Sequence, residues 1–120
     1  MNKVFLILVL GVLSLSSCYY DSEEDLYPSA GCSTENVSFT NDIKPILLNS
    51  CLSCHNNVSL QGNITLESYD DVISYVDNGL LLGSIKHDSG FKAMPQNATK
   101  LDDCRISKVE AWITAGALNN

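Results

Sequence analysis

The sequence has few basic residues, no apolar run long enough to cross a membrane and no internal repeat. Seven lysines and arginines stand against fourteen aspartates and glutamates, which gives the 120-residue chain a formal net charge of -7. This deficit argues against a nucleic-acid partner, because binding to the phosphate backbone depends on lysine and arginine. The longest apolar run, residues 4–13, covers about half of the ~20 residues that a membrane-spanning helix needs, which argues against a transmembrane anchor.

Residues 1–17 have the pattern of a secretory signal peptide. A positive charge at Lys3 precedes the apolar run, and the segment ends in small residues directly before Cys18. The final Leu-Ser-Ser-Cys resembles the bacterial lipobox, in which the cysteine is lipidated and becomes the first residue of the mature protein. Cys18 is therefore predicted to carry a lipid that anchors the protein to a bacterial membrane without spanning it. The alternative is an ordinary signal peptide cut near the same place, which leaves Cys18 as a free thiol or an unrelated buried residue.

Residues 18–37 are acidic and rich in turn-forming residues, and they are predicted to be a flexible tether. A single folded domain is predicted for residues 38–120. With roughly 80 residues its core is small, and domains of this size usually gain stability from a disulfide, a metal or a large apolar cofactor. Five cysteines in so short a chain therefore need a specific explanation.

Helical periodicity precedes Cys51. Asn41 or Asp42 is available as the N-cap, and Pro45 is then expected in the first turn, where its missing amide proton costs no hydrogen bond. The apolar residues near helical spacing are Phe39, Ile43, Ile46 and Leu47.

A second helix is predicted to start at Ser68, where Asp71 three positions later completes a capping box. Asn78-Gly79 is expected to mark its end, because glycine and asparagine are the residue types that most often terminate helices in the left-handed conformation. Residues 80–100, apolar at first and irregular around Met94-Pro95, are expected to line a pocket.

A third helix is predicted from Asp102 or Asp103 to Ala115, with Gly116 as its terminator. No segment has a clear strand pattern, so the predicted fold class is all-α with three to four helices. The inner face of the third helix carries Ile106, Val109, Trp112 and Ile113.

The sequence CLSCH at residues 51–55 matches C-x-x-C-H, the attachment motif for c-type haem. Two cysteines three positions apart on a helical turn point the same way, so Cys51 and Cys54 can form thioether bonds with the two vinyl groups on one porphyrin edge. His55 then faces the iron as proximal ligand, and its other ring nitrogen is expected to donate to a backbone carbonyl. The motif thus predicts one covalently attached haem c.

Three other interpretations of the motif are open. A thioredoxin-like C-x-x-C is expected in a βαβ context, which the sequence pattern does not show. A zinc site would require a second pair of ligands at suitable spacing. A disulfide between Cys51 and Cys54 would leave His55 without a role.

The remaining cysteines are assigned by elimination. With Cys18 assigned to lipid and the motif cysteines to haem, only Cys32 and Cys104 remain. In an oxidising compartment they are predicted to form a disulfide, which would join the end of the tether to the last helix. The alternative is two separate buried thiols.

The second axial ligand is expected downstream, on the opposite face of the haem from His55. Met94 is the predicted ligand, because it is the only methionine left after signal removal and lies in an irregular segment before Pro95. A thioether ligand raises the reduction potential. His87, the only other histidine, is the competing candidate, and bis-histidine ligation would lower the potential. Outside the first coordination shell, His87 would bind a haem propionate or lie on the surface.

Several segments together carry a family resemblance. The segments are residues 39–47 (FTNDIKPIL), the CLSCH motif, Met94-Pro95, Leu101 and residues 110–117 (EAWITAGA). On these residues the chain resembles class I cytochrome c domains over about residues 37–118. It is most similar to the cytochrome-c-like lipoproteins of Bacteroidetes and to planctomycete-type domains. The resemblance implies a small all-α fold in which the first and last helices cross beside the haem, with His55 and Met94 as axial ligands.

The chain departs from the family pattern in two places. No proline closely follows His55 to supply the carbonyl that orients its imidazole, so this partner is unassigned. Cys32 and Cys104 lie outside the general pattern, and their pairing rests on the assignment of the cysteines alone.

The sequence therefore predicts an electron-transfer protein rather than an enzyme, a monohaem c-type cytochrome that passes single electrons between redox partners at a bacterial membrane. Its acidic balance favours partners with basic docking faces and equally serves solubility. No small-molecule substrate is expected. The expected location is outside the cytoplasm, lipid-anchored and facing the periplasm or the cell surface. The alternatives are a haem-based sensor or small haem enzyme with a labile distal ligand, and a cysteine-based binding module without haem.

Overall fold

A computed structural model describes residues 31–120, which contain four α-helices and no strand. None of these helices is long and apolar enough to cross a membrane. The all-α prediction with three to four helices is confirmed for this part of the chain. The predicted signal segment 1–17, the lipidation residue Cys18 and most of the tether lie outside the described residues. The helices are α1 (Lys44–Ser50), α2 (Tyr69–Asp77), α3 (Leu80–Lys86) and α4 (Asp103–Thr114).

The folded unit begins earlier than the predicted boundary at residue 38. Residues Cys32–Asn120 form one compact unit. Val37 is buried in its core, and Cys32 is bonded to Cys104 in α4. The end of the predicted tether, residues 32–37, therefore belongs to the domain, because these two contacts fix it to the core.

A π-helical turn, Phe39–Ile43, leads directly into α1, so the first helical segment starts before the predicted cap. The prediction of Asn41 or Asp42 as N-cap is wrong, because Ser38 takes that position. The Ser38 side chain accepts a hydrogen bond from the Asn41 amide, and the Asp42 carboxylate accepts one from the Ser38 amide at 3.0 Å. Pro45 lies in the first turn of α1, as predicted.

Helix α2 begins with the predicted capping box. The Ser68 hydroxyl accepts a hydrogen bond from the Asp71 amide at 3.1 Å, and the Asp71 carboxylate accepts one from the Ser68 amide at 2.9 Å. The helix ends at Asn78, followed by Gly79 in the left-handed conformation with φ of 74°. The predictions for both ends of this helix are therefore confirmed. Each end is determined by residues that are close together in the sequence.

Helix α3 was not predicted, although it lies in the segment expected to line a pocket. It covers seven residues between two left-handed residues, Gly79 and His87. Leu81 and Ile85 on one face are buried in the core. A helix this short does not show enough periods of its apolar pattern to be recognised in the sequence.

Helix α4 starts where it was predicted. Asp102 is its N-cap and accepts a hydrogen bond from the Arg105 amide at 2.9 Å, while Ala115 caps the other end. Three of the four predicted inner residues are buried and Ile113 is partly buried.

The core joins the π-helical turn to α2 and α4 through three aromatic rings. The Phe39 ring centroid lies 5.2 Å from that of Tyr69 and 5.6 Å from that of Trp112. The Tyr69 hydroxyl donates to the Ala117 carbonyl at 2.8 Å, and the Trp112 indole donates to the Leu118 carbonyl at 2.9 Å. Phe39 and Trp112 are buried and Tyr69 is partly buried, and the polar groups of Tyr69 and Trp112 each keep a hydrogen-bond partner.

Candidate functional site

One cleft of about 630 Å³ brings together the residues predicted to hold a haem. The CLSCH motif supplies three of them, Cys51, Cys54 and His55, and Met94 reaches the same cleft from the segment after α3. The volume lies within the ~300–1,000 Å³ usual for sites that bind cofactors. The other lining residues are Ser50, Ser53, Gln61, Gly62, Ile64, Leu66, Tyr75, Leu80, Leu81, Ser84, Ile85, Lys92, Pro95, Gln96, Asn97 and Leu101.

The CLSCH motif forms a turn at the end of α1. The Cys51 amide donates to the Leu47 carbonyl at 2.8 Å, which continues the helix into the motif. The Cys54 and His55 amides both donate to the Cys51 carbonyl, at 3.1 and 3.0 Å. Both cysteines line the cleft as free thiols rather than as a disulfide with each other.

Burial raises the pKa of the Cys51 thiol to about 11, with a smaller contribution from the negative charge that Cys54 would carry as a thiolate. Cys51 is therefore a protonated thiol at neutral pH. A protonated thiol is a poor nucleophile toward disulfides and alkylating agents, so the environment of Cys51 suppresses unspecific reactions.

The ring of His55 is fixed by a backbone carbonyl that the sequence did not identify. Its Nδ1 atom lies 3.1 Å from the carbonyl oxygen of Gln61. Since a carbonyl oxygen only accepts hydrogen bonds, Nδ1 carries a proton, and in the neutral ring Nε2 then has the free lone pair. The predicted donation to a carbonyl is thus present, and it leaves Nε2 as the nitrogen that could bind a metal.

The loop after the motif holds Gln61 in place. The Gln61 amide donates to the Cys54 carbonyl at 3.1 Å, and the Leu66 amide donates to the His55 carbonyl at 2.9 Å. Gln61 begins a short 3-10 turn, and Gly62 within it has φ of 67°. The glycine at position 62 is a sequence signal for a tight turn in this loop. The residue types do not indicate which backbone carbonyl faces His55.

Met94 and His87, the two candidates for the second ligand, occupy different positions. Met94 lines the cleft and is partly buried, whereas His87 is exposed and is not among the lining residues. The His87 ring instead contacts the main chain of Met94, with Nε2 3.0 Å from the Met94 carbonyl oxygen. The structure therefore brings Met94, and not His87, to the same cleft as His55.

The cleft walls are mainly apolar. Leu66, Leu81, Ile85 and Leu101 line the cleft and are buried in the core. Lys92 supplies a positive charge, and no aspartate or glutamate of residues 31–120 lines the cleft. Such a lining suits a large apolar ligand.

Cys32 and Cys104 form a disulfide, with their Cα atoms 5.6 Å apart. Cys104 lies in the first turn of α4, so the bond joins the start of the folded unit to its last helix.

A scan against protein-family models finds no match for the chain, and searches of curated proteins and of solved structures find none. Among residues 31–120, no three histidine, cysteine, aspartate or glutamate side chains are grouped so that they could hold a metal ion by themselves.

Proposed function

We propose that the chain is a monohaem c-type cytochrome that transfers single electrons, with haem attached to Cys51 and Cys54. The observation that carries this proposal is the meeting of the CLSCH motif and Met94 in one apolar cleft. The two elements are far apart in sequence, and the motif alone does not require a methionine sulfur to lie near it. Their convergence supports His55 and Met94 as the two axial ligands.

The residues of the cleft fit a haem in four respects. Both thiols are free to form thioether bonds, and Nε2 of His55 is left free by the bond from Nδ1 to Gln61. The lining is apolar, as a porphyrin requires, and Lys92 is available to pair with a propionate. A haem also needs only two ligands from the protein, so the lack of a larger group of metal-binding side chains in residues 31–120 does not conflict with it.

Each residue then has a defined role in electron transfer. The haem iron supplies the one-electron couple between Fe(III) and Fe(II). Gln61 fixes the His55 ring so that Nε2 would be the donor to the iron, and the Met94 thioether would favour the reduced state. Leu66, Leu81 and Leu101 exclude water from the cleft, which keeps solvent rearrangement small when the charge changes.

The finer fold assignment belongs to the same proposal. We infer a class I cytochrome c-like fold, in which four helices surround one haem. The packing of Phe39, beside the start of α1, on Trp112 in α4 supports it, since the first and last helical segments are expected to meet.

The partners and location follow from the sequence. The net charge of -7 favours redox partner proteins with basic docking faces. Cys18, if lipidated, would anchor the protein to a bacterial membrane on the periplasmic or outer side. In this role the protein is not an enzyme and takes no small-molecule substrate.

The test is expression with a haem-maturation system, followed by intact mass and ferric and ferrous spectra. The expected results are the mass of one covalent haem and a low-spin spectrum with the methionine-to-iron charge-transfer band. Met94→Ala should abolish that band and lower the reduction potential, while His87→Ala should change the potential little. A colourless product with both motif thiols free would overturn the proposal.

The same samples decide between the electron carrier and the alternative haem sensor or haem enzyme. A carrier keeps both axial positions filled, so the ferrous protein should bind carbon monoxide slowly and weakly at neutral pH. Rapid carbon monoxide binding, or peroxidase turnover by the folded protein, would instead favour the alternative.

A further inference from the structure

His87 adopts a left-handed backbone conformation, which is uncommon for residues other than glycine. It caps the end of α3 in the left-handed region with φ of 59° and ψ of 37°. Glycine or asparagine is the usual residue at such a position, because a β-carbon is strained there. A glycine at position 87 would avoid this strain. The contacts of the imidazole show what the histidine side chain provides in its place.

The imidazole of His87 forms a hydrogen bond with the main chain of Met94. His87 Nε2 lies 3.0 Å from the Met94 carbonyl oxygen, and since a carbonyl only accepts, Nε2 is the protonated nitrogen. On the other side, the Met94 amide donates to the Ser84 carbonyl at 3.0 Å. Both polar groups of the Met94 backbone are thus held by the end of α3.

Helix α3 is a firm support for these two bonds. Leu81 and Ile85 fix it in the core, and Lys86 forms an ion pair with Glu110 of α4 at 3.4 Å. Between this helix and Met94, the Phe91 amide donates a hydrogen bond to the Asp88 carbonyl at 3.1 Å. The irregular segment that carries Met94 is therefore anchored to α3 rather than free to move away from the cleft.

We propose that His87 is a positioning residue, which holds the Met94 backbone so that its thioether stays at the wall of the cleft. This inference rests on the proposed function, since it assigns His87 the task of keeping the sixth ligand in place. His87 is not itself a proposed ligand, so its loss is expected to change how often the Met94 bond opens and not which atom binds.

The test compares His87→Gly with the natural protein in the ferric, haem-loaded form. Glycine relieves the backbone strain but loses the hydrogen bond to Met94, so the free energy of unfolding should change little. Imidazole added from solution competes with Met94, and its affinity should increase about fivefold, the factor that matches the ~1 kcal/mol net value of one hydrogen bond. His87→Gln, which keeps a side-chain donor, should restore part of the natural behaviour.

Asn36→Gly is the matched control. Asn36 is an exposed left-handed residue with φ of 53°, and it does not line the cleft. The Asn36→Gly variant should bind imidazole with the same affinity as the natural protein. Equal imidazole affinity in His87→Gly and the natural protein would overturn the inference while leaving the haem proposal intact.

A second measurement separates the two proposals. If the natural protein proves colourless, the haem proposal fails. The anchoring role of His87 can still be tested in that haem-free protein, by measuring hydrogen exchange at the Met94 amide. Exchange about fivefold faster in His87→Gly would support the anchoring role. Unchanged exchange would overturn it.

Discussion

The ring of Phe91 lies directly on the backbone of Gly83 in α3. A β-carbon on Gly83 would come within 2.5 Å of the nearest ring carbon. This close approach seats the segment that leads to Met94 against the helix. The absence of a side chain at Gly83 is therefore needed for packing rather than for backbone conformation.

Gly83→Ala is expected to destabilise the fold by about 1–3 kcal/mol, because the new methyl group must displace the Phe91 ring. Urea unfolding measures the change. In a Phe91→Ala background the clash is removed, and the same substitution should stabilise the helix by up to ~1 kcal/mol through better helix propensity. Equal effects in both backgrounds would contradict the role assigned to the ring.

Replacing Cys32 and Cys104 together by serine is expected to lower the free energy of unfolding by up to about 4 kcal/mol. The two residues are 72 positions apart, and closing a loop of this length restricts the unfolded chain strongly. Urea unfolding of the double variant measures the loss. If the disulfide stabilises the fold, the natural protein treated with a reductant should lose a similar amount, whereas the double variant should be insensitive to it.

Cys51 is expected to react slowly with iodoacetamide in protein produced without haem maturation. Because burial raises its pKa to about 11, its alkylation rate should keep rising with pH up to that value. Peptide mapping by mass spectrometry follows this residue alone. Cys54→Ser removes the neighbouring charge and should lower the pKa of Cys51, yet leave it above the ordinary 9.0 because burial is the larger cause. A rate that levels off near pH 9 in the natural protein would show that Cys51 is not buried.

Asp42 is expected to contribute to stability in a way that acid removes. The Ser38 amide and the Lys108 ammonium hold the pKa of its carboxyl below the ordinary 3.8. A depressed pKa in the folded state means that the contribution is complete above about pH 4 and disappears as the pH falls through the lower folded value. Urea midpoints between about pH 6 and about pH 2 should fall less steeply in Asp42→Asn than in the natural protein.

Lys108→Met is the companion variant for this measurement. Lys108 lies 3.0 Å from the Asp42 carboxylate, so its removal should reduce, but not abolish, the acid dependence that Asp42 causes. The bond from the Ser38 amide, the largest cause of the lowered pKa, remains in that variant. An acid dependence identical to that of the natural protein would show that Lys108 has no part in it.

Features determined by a few neighbouring residues could be predicted from the sequence. The capping box of Ser68 and Asp71 and the N-cap at Asp102 are local, and both lie where the pattern indicated. The cap at Ser38 was missed because a π-helical turn, which has no distinct apolar period, extends the first helix backwards. Helix α3 was missed because seven residues are too few to establish a period.

The candidate site could be predicted only in part, for the same reason. The CLSCH motif is local, and its spacing alone made Cys51, Cys54 and His55 candidate site residues, which the structure places in one cleft. The contacts of Gln61 with His55 and of His87 with Met94 link residues six and seven positions apart through loop geometry. No pattern of residue types specifies such loop contacts, so they became visible only in the folded chain.

The bond between Cys32 and Cys104 also decides how the domain bears mechanical load. Tension applied to the chain ahead of Cys32 and resisted beyond Cys104 passes through the two sulfurs, so residues 33–103 form a covalently closed loop outside the path of the force. Every residue that lines the cleft lies inside this loop. A force applied between the chain ahead of Cys32 and the end of α4 would therefore load the disulfide before it could widen the cleft.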